Sequence, residues 1–192
     1  EPLPDLGNDV VVIGGGDTAS DCLRTSVRRG IENVTCLYRR TEAEMPGSAK
    51  DRKLAKQEGA KYNFLHQPVK FIADEDGKLA AVECIKMELG EPDSSGRRRP
   101  VPVEGSNFTL PATTAVKALG YWPDEIIGKT TPDYEVDKWG LTIVEDSETG
   151  QTSRENIFAG GDGVTGPDLV VTAMVAGKKS AIAIDEYLRS KK

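Results

Sequence analysis

Gly14-Gly15-Gly16-Asp17-Thr18-Ala19 has the spacing GxGxxA directly after an apolar run. In such a pattern the first glycine permits a tight turn and the second lets backbone approach a pyrophosphate. The small third residue keeps the following helix against the strand. A pyrophosphate there would rest on the N–H groups and positive end of that helix. The competing reading is a glycine turn that only packs a strand on a helix. Asp17 is out of place beside a phosphate, although helix N-termini favour acids, so its side chain is expected to point away from the ligand.

About 20 residues after such a turn, an acid at the end of the second strand would hydrogen-bond a ribose 2′-hydroxyl. This sequence has Tyr38-Arg39-Arg40 there instead. Arginine suits a 2′-phosphate, because its planar guanidinium matches phosphate oxygens bidentately. NADP(H) is therefore the expected dinucleotide, with Arg39 and Arg40 as its phosphate ligands and a solvated arginine pair as the bland alternative. A second glycine pair, Gly160-Gly161 followed by Asp162, closes the apolar stretch Ile157-Phe158-Ala159. It reads as a further ligand-facing sheet edge, or else as a strand-to-helix turn with a capping aspartate. Cys22 and Cys36 fall on apolar faces as small core residues, and His66 at a strand end reads as structural. No Ser/His/Asp or Cys/His grouping is legible, which fits an enzyme whose flavin or nicotinamide performs the hydride chemistry.

These residues need an α/β scaffold. Val10 to Ile13 reads as a strand buried on both faces by crossover helices. Asp17 to Arg29 carries its less polar residues at helical spacing, with Gly30 in the C′ position. Asn33 to Tyr38 completes one βαβ unit. Lys50 to Glu58 reads as a helix and Tyr62 to Leu65 as a strand. Asp74 to Gly77 then turns Val69–Ala73 back on Leu79–Leu89, the start of an antiparallel meander. Residues 91–106, rich in proline and glycine with Arg97-Arg98-Arg99 in their midst, read as an exposed tip between strands 82–89 and 106–110. Thr114 to Leu119 is a further strand. Residues 121–132 mark a boundary between domains 1–122 and 123–192. Beyond it, Leu141–Val144 and Asn156–Ala159 read as short strands, and Leu169–Leu188 as a helix with small residues for close packing.

At 192 residues the chain fits one large domain or two small ones. With 38% hydrophobic and 29% charged residues it can build a core, and a net charge of −6 disfavours a nucleic-acid partner. The longest nearly apolar run, Leu169 to Gly177, has nine residues, against about 20 needed to span a bilayer. The first nine residues lack the pattern of a signal peptide and read as a linker. Three cysteines without a CxxC pair, beside a single histidine, argue against a disulfide framework and a zinc site and point to a reducing, cytoplasmic setting.

Four stretches, VVVIGGGDTASDCLRT, VTCLYRRTEAEMPGS, AAVECIKMELGEPDSSGRRRPVPVEGS and NIFAGGDGVTGPDLVVTAMVAGKKSAIAI, closely resemble the glutamate synthase small (β) subunit family. That family sits within a larger group of NADPH-dependent flavin oxidoreductases that includes the electron-input half of dihydropyrimidine dehydrogenase. The likeness runs from Asn8 to Leu188. It implies a Rossmann-like NADPH-binding domain with a central parallel sheet and an antiparallel meander, followed by the C-terminal portion of an FAD-binding domain. By position, Gly14 to Ala19 would hold the NADPH pyrophosphate, Arg39 and Arg40 the 2′-phosphate, and Ala118-Leu119-Gly120 the strand end beside the dinucleotide. Gly161 and Asp162 would contact FAD, with the N–H groups of Leu169 and Val170 near the flavin. The resemblance implies hydride transfer from NADPH to FAD and onward through iron–sulfur clusters to a glutamate-forming large subunit. One glycine fingerprint and no cysteine cluster imply a piece of a longer polypeptide, with the clusters and the rest of the FAD site on the remainder. A thioredoxin-reductase-like domain and a non-catalytic NADP-binding or docking module are the competing readings.

Overall fold

A computed structural model describes residues 3–92 and 96–191, and its contacts divide the chain into two compact units, Glu1–Leu119 and Gly120–Lys192. Residues 1 and 2 of the expected linker, and residues 93–95 of the expected tip, lie outside the described residues.

The first unit opens with β1 (Asp9–Ile13), α1 (Asp17–Arg28) and β2 (Asn33–Tyr38). A 3₁₀ turn at Glu42–Glu44, α2 (Ala49–Glu58) and β3 (Lys61–Phe64) follow. An antiparallel excursion then runs through β4 (His66–Ala73), β5 (Leu79–Pro92), β6 (Arg98–Pro102) and β7 (Phe108–Pro111) before β8 (Thr114–Lys117). β3, β2, β1 and β8 form a wholly parallel sheet in that order. Alternation along β1 explains why its sequence is continuously apolar. Val10 and Val12 pack with Ala19 and Leu23 of α1 and Ala55 of α2, whereas Val11 and Ile13 pack with Val82 and Cys84 of β5. Helices thus cover one face and the antiparallel sheet covers the other. The expectation of helices on both faces is corrected accordingly: an apolar strand reveals that both sides are buried, not by what.

The stretch read as a tip is exposed and its flanking strands do pair, but it holds a further strand that the reading lacked. β5 continues to Pro92 and pairs with β6 through Met87↔Pro102 and Leu89↔Pro100, while β7 pairs the earlier part of β5 through Cys84↔Phe108. β6 is an edge strand, where a missing proline N–H costs no ladder bond if it faces outward, so Pro100 and Pro102 are compatible with pairing.

α1 and α2 are joined by ion pairs. Arg24 reaches Glu58 at 2.9 Å and Asp51 at 3.3 Å, and Arg28 reaches Glu58 at 2.7 Å. Hydrogen bonds from Arg24 and then Arg28 hold the Glu58 carboxyl down at about 2. A carboxylate favoured in the fold stabilises it above the unfolded value, about 4.3, and loses that contribution as pH falls toward the folded value. Glu58→Gln should therefore lower the thermal midpoint at pH 7, with the gap to wild type closing between about pH 4.3 and about 2. A gap that persisted unchanged at the acid end would contradict this assignment.

In the second unit the expected strands at 141–144 and 156–159 are not formed. The ladder there is a hairpin of β9 (Val144–Asp146) and β10 (Gln151–Thr152), with isolated bridges Val136↔Thr142 and Gln151↔Phe158. Apolar runs become strands only where a partner edge meets them, and here the Asp146–Gly150 turn sets the pairing, with Gly150 N–H donating to Asp146 O at 2.8 Å. The short helices α3 (Ile126–Thr130) and α4 (Asp162–Thr165) precede α5 (Val170–Ser190). Small residues let α5 approach the glycine pair: a Cβ at Gly160 would lie 3.1 Å from Ala176 Cβ, and one at Gly161 would lie 3.3 Å from Ala173 Cβ. Among the described residues no helix is long and apolar enough to cross a membrane.

Candidate functional site

At the C-terminal edge of the parallel sheet the chain turns from β1 into α1. Gly14 N–H donates to Leu37 O at 3.1 Å and Ala118 N–H donates to Ile13 O at 2.8 Å, so the ends of β1, β2 and β8 meet there. Gly14 has φ +146°, and a Cβ on it would overlap the Ala118 carbonyl oxygen. Gly15 is equally constrained, because its Cβ would stand 2.5 Å from the Tyr38 ring. Gly16 differs from both: no atom lies within 4 Å of the position its Cβ would take. It is the N-cap of α1, has no side chain with which to cap it, and precedes Asp17 and Thr18, both exposed. Ala19 N–H makes the first bond of the helix, to Gly16 O at 3.1 Å. The N–H groups of Gly16, Asp17 and Thr18 therefore precede the intrahelical ladder, at the positive end of a 12-residue helix. Open space beside Gly16 fits an anionic ligand brought against backbone.

The arginine pair divides. Arg39 is exposed just past β2. Arg40 is only 6% exposed, and its Nε donates to the carbonyl of Arg98 on β6 at 2.7 Å. Leu119 is exposed at the end of the first unit, and Gly120, with φ +82°, begins the second.

A strap that sequence reasoning missed links the arginines to the glycine turn. Thr41 and Glu44 form a capping box, Tyr38 OH donates to Glu44 O at 2.8 Å, and Glu42 pairs with Lys56 at 2.7 Å. Gly47 N–H then donates to Gly15 O at 3.0 Å, and Ser48 N–H to Asp17 Oδ1 at 2.7 Å. The Asp17 side chain is thus turned onto Ser48. The Pro46-Gly47 turn and a serine ahead of a helix were visible signals for the strap. Its target, some 30 residues back in the chain, was not.

In the second unit Gly161, Asp162 and Val170 line one open cleft of about 430 Å³ with Gly160, Ala173 and Ser180. Leu169 N–H donates to Asp168 Oδ1 at 2.7 Å, and the Leu169 side chain is exposed.

Residues 2–177 match the pyridine nucleotide-disulphide oxidoreductase family. The chain belongs to that family. Relatives within reach of sequence comparison include AegA of Escherichia coli strain K12, called an oxidoreductase by inference. It is 50% identical over 184 residues, covering 95% of this chain and 28% of AegA. The glutamate synthase [NADPH] small chain of the same organism is 45% identical, covering 98% of this chain and 40% of that one. This family member therefore spans well under half the length of these relatives. Among solved structures, thioredoxin reductase of T. acidophilum superposes with a TM-score of 0.74 at 19% identity, covering 97% of this chain and 54% of that one. FprA of Mycobacterium tuberculosis in complex with NADPH gives 0.72 at 18%, covering 96% and 54%. These likenesses establish the α/β fold.

The family name includes a disulphide, but the three cysteines here are free. Burial pushes the Cys36 thiol up to about 12 and the Cys84 thiol up to about 11, and Cys36 Sγ–H donates to Gly14 O at 3.3 Å. Neither is a thiolate at neutral pH, and the thiolate is the reactive form. Native chain treated with an alkylating reagent at pH 8 should label only at half-buried Cys22, with Cys36 and Cys84 reacting on unfolding. Rapid native labelling of Cys36 would overturn its placement.

Proposed function

We propose that this chain is the NADPH-binding part of a larger flavin oxidoreductase of the glutamate synthase small-chain type. The observation that carries the reading is the pairing of an open, uncapped α1 N-terminus at Gly16 with an exposed Arg39 at the end of β2. The first suits a pyrophosphate and the second a 2′-phosphate. Relatives of similar likeness bear NADPH or NADP(+) in their names. Besides the glutamate synthase small chain, they include an NADP(+)-dependent formate dehydrogenase subunit of Moorella thermoacetica, 45% identical, and an NADPH-Fe(3+) oxidoreductase subunit of Geobacter sulfurreducens, 36% identical.

In this reading Gly14 to Ala19 surround the pyrophosphate, Ala118-Leu119-Gly120 lie along the dinucleotide, and Gly161, Asp162, Leu169 and Val170 belong to part of an FAD site. Bound there, NADPH would supply a hydride and FAD would accept it, so the protein's task is to bind and orient. The remainder of the polypeptide completes the FAD site and carries the iron–sulfur clusters, a glutamate-forming large subunit is the downstream partner, and the setting is cytoplasmic. Thiol exchange is disfavoured by the buried, protonated Cys36 and Cys84. A dye-reduction assay on the full-length protein tests the reading. NADPH should support turnover and a bleached flavin spectrum, whereas tight NADPH binding without dye reduction would instead make this a docking module.

A further inference from the structure

Asp17 carries a negative charge into the first turn of the helix that faces the expected phosphate, and a ligand role would set charge against charge. Its contacts give it other work. Asp17 Oδ1 accepts from Ser48 N–H at 2.7 Å. Ser48 is the N-cap of α2, and its own Oγ accepts from Asp51 N–H at 3.3 Å. Asp17 therefore satisfies a donor at the start of α2 that the α2 ladder leaves over. The residue before, Gly47, lies directly on the glycine turn. Its N–H donates to Gly15 O at 3.0 Å, a Cβ on it would stand 2.8 Å from Gly16 C, and its carbonyl accepts from Arg52 Nη1 at 2.7 Å.

One peptide plane is fixed by this arrangement. In a trans peptide the C=O of one residue and the N–H of the next point in opposite directions. Holding Gly15 O toward Gly47 N–H directs Gly16 N–H away from the strap, to the side left open by the missing Gly16 side chain.

We propose that Asp17 is a positioning residue: by latching Ser48 it clamps the Pro46-Gly47-Ser48 turn on Gly15 and so aims the Gly16 N–H at the pyrophosphate. The inference rests on the reading of Gly16 as a phosphate-binding glycine, and it assigns Asp17 and Gly47 to the support of that atom. An asparagine at position 17 keeps an oxygen acceptor for Ser48 and loses the charge, whereas an alanine loses both.

The test measures two properties of wild type, Asp17→Asn and Asp17→Ala: hydrogen exchange at the Gly47 and Ser48 amides, and affinity for NADPH and NADH. In Asp17→Ala both amides should exchange at least tenfold faster, and both nucleotides should bind about tenfold more weakly, a loss of 1.4 kcal/mol, with their ratio unchanged. Asp17→Asn should retain protection and bind within about twofold of wild type. Unchanged amide protection in Asp17→Ala overturns the latch, as does equal weakening in the two variants, which would assign the effect to charge. Wild type that binds neither nucleotide would overturn the phosphate reading itself, and the proposal with it. Wild-type binding retained by Asp17→Ala would overturn the proposal alone.

Discussion

Gly16→Val should fold normally and lose dinucleotide affinity by about 100-fold or more, whereas Gly14→Ala, a smaller change two residues earlier, should damage the fold itself. Gly16 has φ −88° and ψ −177°, extended backbone that a β-branched residue adopts readily, and nothing stands within 4 Å of its Cβ position. A side chain there meets only the space in which the phosphate is expected. Losing two charge-assisted hydrogen bonds at about 1.5 kcal/mol or more each corresponds to that fold-change. Gly14 has φ +146° and no room beside the Ala118 carbonyl. Strain of about 1–3 kcal/mol and overpacking of about 1–3 kcal/mol should combine to lower the thermal midpoint by ~10 °C or more. Thermal melts beside nucleotide titrations separate the two outcomes. A destabilised Gly16→Val with undiminished affinity would reverse the assignment.

The arginine pair should divide just as sharply. Arg39→Ala leaves the core untouched and should cost NADPH about tenfold or more relative to NADH, one charge-assisted contact being worth about 1.5–3 kcal/mol. Arg40 is 6% exposed and holds β6 through the Arg98 carbonyl. Arg40→Ala should therefore act on stability first, by about 1 kcal/mol or more for the lost hydrogen bond from its buried guanidinium. The measurement is a melt and an NADPH:NADH affinity ratio for each variant. A ratio that falls in Arg40→Ala and not in Arg39→Ala would exchange their roles.

The sequence reveals most where short-range periodicity decides structure. β1, α1 and β2 are legible because the apolar run, the helical spacing and the glycines each refer to residues within a turn or two. The GxGxxA spacing likewise announces Gly16. Residues 91–106 mislead because proline and glycine content signals a loop, and only tertiary context shows that Pro100 and Pro102 sit on an edge strand where proline is tolerated. The apolar runs at 141–144 and 156–159 mislead for the complementary reason: strand formation depends on a partner edge that a local pattern does not contain. Arg40 is buried against the Arg98 carbonyl of β6 while Arg39 stays exposed, and the partner of Asp17 lies on the strap before α2. Both are long-range facts, and nothing in the spacing of either pair encodes them.

In the proposed reading the glycine turn and the end of β2 together bind a dinucleotide bearing a 2′-phosphate. The most direct test of that reading is calorimetric titration of the 192-residue chain with NADPH and with NADH at one ionic strength. NADPH should bind at least about tenfold more tightly, in line with a single arginine–phosphate contact. Equal affinities for the two nucleotides would contradict it.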